Sequence, residues 1–279
     1  MIQDIYPSKM HNEFTDHKIS DGDVLLQFNS DGKLLLEDRD ERVFFPKAVD
    51  VKKNCTYLFS LDEIRFFIDL NVIRSRSDEE DASLRDSRYA YYSIREIRDR
   101  FSGPEVFAAF TGYHLWRWYS DNIFCGRCGA GLEPDDKERA LRCPECGNII
   151  YPRINPAVIV GVIKGDALLI TKYKRGYSHN ALVAGFTEIG ETLEETVARE
   201  VMEETGVKVK NIKYYKSQPW GMAQDILVGF FCEADGEAGI RMDESELKYA
   251  EWVRRDEIEL QPNSLSLTNE MMKVFKEGF

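Results

Sequence analysis

Short apolar runs broken by polar turns fill the first 120 residues. Val24-Leu25-Leu26-Gln27-Phe28 and Lys33-Leu34-Leu35-Leu36 read as strands, and Asp31-Gly32 between them predicts a hairpin. Glu105–Tyr119, following Ser102-Gly103-Pro104, predicts a helix. Its Val106, Phe107, Phe110, Tyr113, Leu115 and Trp116 form a wide apolar face suited to a core or an interface. Ser75–Asp86, mostly Ser, Arg, Asp and Glu, reads as an exposed loop. Beyond residue 150 the runs lengthen. Ala157–Ile163 and Ala167–Tyr173, joined by Lys164-Gly165-Asp166, predict a second hairpin. A helix is expected over 193–205, strands over 208–216, 226–233 and Tyr249–Val253, and a last helix from Ser266 to Lys276. Strands mixed with few helices point to an α+β fold rather than repeated βαβ units.

Length and charge narrow this picture. The 279 residues suggest about two domains, and 43% hydrophobic residues suffice for real cores. Lys+Arg is 37 and Asp+Glu is 49, so the net charge is 37 − 49 = −12. That excess argues against duplex DNA or an anionic membrane as partner, since either needs a basic surface. No run approaches the ~18 apolar residues of a membrane span. Met1-Ile2-Gln3-Asp4 has neither a basic start nor an apolar segment, so the expected location is cytoplasmic.

Cysteine spacing divides the chain. Cys125-Gly-Arg-Cys128 and Cys143-Pro-Glu-Cys146 are fourteen residues apart, each followed by a glycine, Gly129 and Gly147. Each Cys-x-x-Cys turn places two thiolates together, and glycine permits the backbone conformation the turn needs. Four thiolates close a tetrahedral shell with no open position, so Cys125, Cys128, Cys143 and Cys146 are expected to hold a structural Zn²⁺. A disulfide pair or a redox pair are the competing readings; a cytosolic chain disfavours the first and the lack of a surrounding βαβ pattern the second. The expected organisation is an N-terminal domain over 1–122, a zinc ribbon over 123–150 and a third domain over 151–279. Cys55 and Cys232 stand alone.

The helix over 193–205 carries the most pointed chemistry. Thr192 and Glu195 fit a capping box, and Gly206 fits the C-terminal stop. Six glutamates lie between 191 and 204, and Glu200, Glu203 and Glu204 share roughly one 100° arc. The adjoining arc of Val197, Ala198, Val201 and Met202 is expected to face the core. Like charges so close repel. A solvated acidic face is one explanation; a site for Mg²⁺ or Mn²⁺, which take oxygen ligands and share phosphate oxygens, is the other.

The segment Gly185-x5-Glu191-x7-Arg199-Glu200-Val201-x-Glu203-Glu204-x-Gly206-Val207 resembles the Nudix box at every fixed position. The resemblance implies a Nudix α/β/α sandwich around a mixed sheet, and hydrolysis of a nucleoside diphosphate linked to another moiety. The order of parts, with Tyr151-Pro152-Arg153 after the ribbon and Ser217-Gln218-Pro219-Trp220 beyond the box, is similar to the NADH pyrophosphatase subfamily. There a divergent, strand-rich N-terminal domain and a small zinc ribbon precede the Nudix domain. The likeness covers roughly residues 120–275. The subfamily pattern continues Pro-Phe-Pro-x-Ser, where this chain reads Gly221-Met222-Ala223-Gln224-Asp225. That departure concerns the choice of substrate more than the chemistry.

The resemblance implies cleavage of NAD(H) into nicotinamide mononucleotide and AMP, extending to removal of NAD caps from RNA. It implies that Glu200, Glu203, Glu204 and the carbonyl of Ala184 ligate Mg²⁺ or Mn²⁺, with Glu246 as a further acid. Either Glu203 or Glu246 is the base, and Arg199 orients the carboxylates. Phe186, Gln218, Pro219, Trp220 and Gln224 are the implied substrate contacts, joined by Tyr151, which in the subfamily reaches a neighbouring subunit's site, and by Glu138 and Arg95. A homodimer is implied as well. The alternatives are a Nudix hydrolase of ADP-ribose or a diadenosine polyphosphate, and a nucleotide-sensing module that does not cleave. Three metal carboxylates argue against the sensor.

Overall fold

A computed structural model describes residues 1–48, 55–75, 87–174, 179–236 and 239–278. Apart from Ser75, the loop expected over Ser75–Asp86 lies outside the described residues. The chain divides into two compact units, one of residues 3–153 with 221–224, the other of residues 1–2, 154–220 and 225–279.

The first unit contains β1 (Met10–His11), β2 (Val24–Leu25), β3 (Leu34–Arg39), β4 (Arg42–Phe44), β5 (Thr56–Leu61), β6 (Ile64–Ile68), α1 (Leu70–Ser75), β7 (Tyr89–Tyr92), α2 (Ile94–Arg100), α3 (Pro104–Asp121), β8 (Glu133–Pro134), β9 (Leu141–Arg142) and β10 (Ile149–Ile150). Its sheets run β1-β5-β6-β2, β4-β3-β7 and β10-β9-β8. The first predicted hairpin survives only at its tip. Phe28 bridges Leu34 and the Leu35 N–H donates to Gln27 O, while β2 pairs in parallel with β6. Gly32 turns this tip at φ 75°, with Trp116 packed so closely that a Cβ there would lie 2.8 Å from its ring. Trp116 and Phe28 stack at 5.0 Å. The apolar face of α3 is therefore largely core: Val106, Phe110, Leu115 and Trp116 are buried, as is Trp118.

The second unit contains β11 (Asn155–Lys164), β12 (Ala167–Tyr173), β13 (Val183–Phe186), α4 (Leu193–Thr205), β14 (Val209–Trp220), β15 (Asp225–Ala234), β16 (Leu247–Arg254) and α5 (Leu267–Glu277). The sheet order is β14-β15-β11-β12-β16, with β13 also paired to β11. β11 and β15 are parallel and the other pairings antiparallel, so the sheet is mixed.

Alternation along β11 builds two cores. Val158, Val160 and Val162 pack with Val197 and Val201 of α4, while Ile159 packs with Leu267, Met271, Met272 and Phe275 of α5. Helices on both faces make the α/β/α sandwich. Gly161 leaves the α5 side open for the Phe231 ring, which a Cβ would meet at 2.6 Å. Ile2 joins this unit by donating its N–H to Leu265 O.

Candidate active site

Local sequence fixes α4 at both ends. Thr192 accepts the Glu195 N–H at 3.2 Å, and the Glu195 carboxylate accepts the Thr192 N–H at 2.8 Å, closing the capping box. Gly206 takes the left-handed conformation at φ 69° and returns its N–H to Met202 O. The helix is rotated from the expected face: Thr196, Val197, Val201, Glu204 and Thr205 are buried, whereas Ala198 is exposed and Met202 half-buried. One glutamate of the acidic arc thus points inward, under β13.

Arg199 organises the outer acids. It grips Glu191 with two bonds, Nε to Oε1 at 2.6 Å and Nη2 to Oε2 at 2.9 Å. Nη1 donates to Glu200 at 2.8 Å and to Glu203 at 3.0 Å, and Nη2 donates to the Phe186 carbonyl at 2.9 Å. The paired guanidinium, with the Glu188 N–H and Thr196 hydroxyl, holds the Glu191 carboxyl down at about 2. Arg199 is itself raised above its ordinary value by the bond to Glu191. These contacts make Arg199 a brace for the acids.

Glu200 fits against bare backbone. A Cβ on Gly185 would lie 1.9 Å from the Glu200 carboxyl carbon, so only glycine at 185 admits that carboxylate beside β13. Burial raises Glu200, with Glu203 and Glu246 adding repulsion. Glu204 is 3% exposed and pushed up to about 8, first by burial and then by the charges of Glu200 and Glu246. Glu246, although exposed and distant in sequence, is thereby placed in the same electrostatic cluster. Ala184 neighbours this cluster in β13, opposite Ile159 of β11. The structure thus brings together Glu200, Glu203, Glu204, Glu246, Ala184 and Arg199. Glu200 and Glu204, both raised by burial and by neighbouring acids, suit a divalent cation, which supplies the charge they lack.

Tyr173 was not singled out by the sequence. A tyrosine at a strand end reads as core, yet its hydroxyl lies 3.4 and 3.5 Å from the two Glu204 oxygens and accepts the Ala184 N–H at 3.2 Å.

The implied substrate contacts divide. Phe186 is 53% exposed beside the acids, a free aromatic face. Pro219 is exposed and Trp220 half-buried at the end of β14, which runs four residues past the expected strand and takes in Ser217–Trp220. Gln218 is fully buried, donating to Leu265 O at 2.8 Å and accepting the Leu267 N–H at 2.7 Å. Its amide ties β14 to the start of α5, a structural task in place of the expected substrate contact.

Gln224, Tyr151, Glu138 and Arg95 belong to the other unit. Tyr151 donates to Glu138 at 2.7 Å, Gln224 accepts from Arg153 at 2.8 Å, and Arg95 is exposed in the first turn of α2. Gly221, where the subfamily pattern has proline, approaches the Phe110 carbonyl so closely that a Cβ would lie 2.1 Å from it. A proline ring does not fit there.

The cysteines converge as expected. All four Sγ lie within 4.8 Å of one another, with Cys125–Cys146 at 3.7 Å and Cys128–Cys143 at 3.4 Å. These are too long for disulfides, and Zn–S bonds of ~2.3 Å place tetrahedral sulfurs ~3.8 Å apart. Gly129 and Gly147 adopt φ 80° and 73° and donate to Cys125 O and Cys143 O, so the two turns repeat one geometry. Backbone N–H groups of Arg127 and Cys128 lower the Cys125 thiol, as that of Cys146 lowers Cys143, while the Cys143 and Cys146 sulfurs push Cys128 up, so protons are shared unevenly among the four. Two of the ribbon's arginines are engaged within the protein: Arg142 pairs with Asp135, and Arg139 donates to Asn12 O and Leu58 O.

Comparison with known proteins agrees with this arrangement. The NUDIX domain family profile matches residues 153–274, and that of the NADH pyrophosphatase zinc ribbon domain matches residues 120–151. The chain is 40% identical over 179 residues to the NAD-capped RNA hydrolase NudC of Klebsiella pneumoniae subsp. pneumoniae, covering 63% of this chain and 68% of that one. It is 40% identical over 180 residues to NudC of Salmonella typhi, covering 64% and 69%. A NUDIX hydrolase structure from Nitrosomonas europaea aligns with a TM-score of 0.49 at 22% identity, covering 55% of this chain and 90% of that one.

Proposed function

This chain belongs to the Nudix hydrolase family, in the branch that carries an NADH pyrophosphatase zinc ribbon, and from that membership we propose that it hydrolyses the pyrophosphate of NAD(H) to nicotinamide mononucleotide and AMP, and that of NAD-capped RNA to a 5′-monophosphate end. The observation that carries the reading is the pair of acids beside Gly185: Glu200 seated on bare backbone and Glu204 buried, both raised in part by the charge of Glu246.

Glu200, Glu203, Glu204, Glu246 and the Ala184 carbonyl are the proposed holders of Mg²⁺ or Mn²⁺. The bound ion supplies charge to the pyrophosphate oxygens and acidifies the attacking water. Arg199 keeps Glu200 and Glu203 turned toward one another. Glu203, whose side chain is 60% exposed, or Glu246 takes the water's proton. Phe186, 53% exposed, offers a ring face to a base or nicotinamide, and Trp220 is a second aromatic at the end of β14. A homodimer in the cytosol is the proposed physiological form; among the described residues no helix is long and apolar enough to cross a membrane. Light scattering coupled to gel filtration checks the dimer.

The replacement of Pro-Phe-Pro-x-Ser by Gly221–Asp225 favours one second reading, a preference for ADP-ribose or a diadenosine polyphosphate. Comparing kcat/KM for NADH, NAD⁺, ADP-ribose, diadenosine polyphosphate and NAD-capped RNA with Mg²⁺ or Mn²⁺ decides between them. NAD(H) or NAD-capped RNA is expected among the best. Glu203→Gln is expected to bind nucleotide while losing turnover about 10²-fold or more; an active variant overturns the metal-site assignment.

A further inference from the structure

Arg199 reaches Glu191, Glu200 and Glu203, and none of its described bonds reaches Glu204. The inner acid is held by other means. The Tyr173 hydroxyl accepts the Ala184 N–H at 3.2 Å, which directs its own proton toward the Glu204 oxygens at 3.4 and 3.5 Å or Leu182 O at 3.4 Å. We propose that Tyr173 is a positioning residue for the buried carboxylate of Glu204, linking it to the β13 backbone in the orientation that receives a divalent cation. The inference rests on the reading of Glu204 as a metal ligand.

Two further observations support it. The register of β12 on β16 slips at this point: Lys172 faces Tyr249, but Tyr173 faces Leu247. Such bulges re-aim side chains beside functional sites. The next residue completes the arrangement, for the Lys174 N–H donates to Glu246 O at 2.9 Å. Tyr173 at the end of β12 therefore bonds the Glu204 carboxylate through its hydroxyl, and Lys174 beside it bonds the backbone carbonyl of Glu246. A hydroxyl also suits the task chemically. A lysine or arginine at 173 would neutralise Glu204 and compete with the cation, whereas a neutral donor orients the carboxylate and leaves its charge for the ion.

The test is Mn²⁺ binding to the full chain, with free ion counted by its electron paramagnetic resonance signal. Tyr173→Phe keeps the ring and removes the donor. It is expected to weaken Mn²⁺ binding about tenfold, as loss of one hydrogen bond to a charged group would. Saturating Mn²⁺ is expected to restore most of kcat. Tyr249→Phe, which removes an exposed hydroxyl bonded to Glu251, is expected to bind as the wild type does.

In a Glu204→Gln background, Tyr173→Phe is expected to add nothing. Wild-type affinity in Tyr173→Phe overturns the proposal, and so does an equal loss in both backgrounds. Should Tyr173→Phe fail to fold, 3-fluorotyrosine placed at 173 keeps ring and hydroxyl with a stronger donor; a changed Mn²⁺ affinity supports the proposal and an unchanged one overturns it. If Mn²⁺ binds through Glu204 but no dinucleotide is cleaved, the functional reading fails and this one stands. If NADH is cleaved and Tyr173→Phe binds Mn²⁺ normally, this one fails alone.

Discussion

A methyl group on residue 185 would sit 1.9 Å from the Glu200 carboxyl carbon, and β13 cannot retreat without breaking its pairing to β11, nor α4 without unpacking Val197 and Val201 from the core. The Glu200 side chain would have to move instead. Gly185→Ala is therefore expected to fold, since position 185 has no left-handed backbone to strain, but to lose about 10²-fold in kcat through misplacement of Glu200. Circular dichroism alongside NADH turnover checks this; wild-type turnover would show that the close approach is not needed. Both residues were legible as a glycine and a glutamate of the box. Their contact was not, because it joins a strand to a helix fifteen positions later. Gln218 shows the opposite case: its place in Ser217-Gln218-Pro219-Trp220 suggested a ligand, and only the fold reveals an amide committed to Leu265 and Leu267.

At the level of elements, α4 was readable almost to the residue. Thr192, Glu195 and Gly206 are local signals, and their hydrogen bonds close within the helix itself. Thr192→Ala removes the cap and is expected to cost about 1 kcal/mol, lowering the melting temperature by about 2–4 °C with kcat little changed. Differential scanning calorimetry reads the shift. The same Ser-x-x-Glu signal at Ser93–Glu96 caps α2, an element too short to show an apolar period. The face of α4 was less legible. Hydrophobic period predicted Ala198 and Met202 inside, but the helix turns Glu204 inward, where the sheet end and Tyr173 receive it. β14 outran its predicted end because pairing to β15 continues through Pro219 to Trp220.

For the whole molecule, the zinc centre belongs to the compact unit that also contains β1–β7 and α1–α3. Arg139 of the ribbon reaches Asn12 O and Leu58 O, and Arg74 reaches Leu132 O. Removing zinc is therefore expected to loosen the unit as a whole. A mercurial reagent that releases Zn²⁺, followed by hydrogen exchange, is expected to strip protection from β5 and α3 while β11 and β15 keep theirs. Equal loss in both units, or none in either, would contradict this. Cys143→Ser is expected to give the same pattern without reagent.

The sequence by itself determined what depends on spacing along the chain: two Cys-x-x-Cys turns, a capped acidic helix, an alternating strand and the order of the parts. Each is written in neighbouring residues, so local stereochemistry suffices to read it. The tertiary structure alone decided which distant groups meet: Glu200 on Gly185, Tyr173 on Glu204, and Gly221 against the Phe110 carbonyl. Those meetings follow from strand register and helix rotation, which the packing of two cores sets and no single segment encodes.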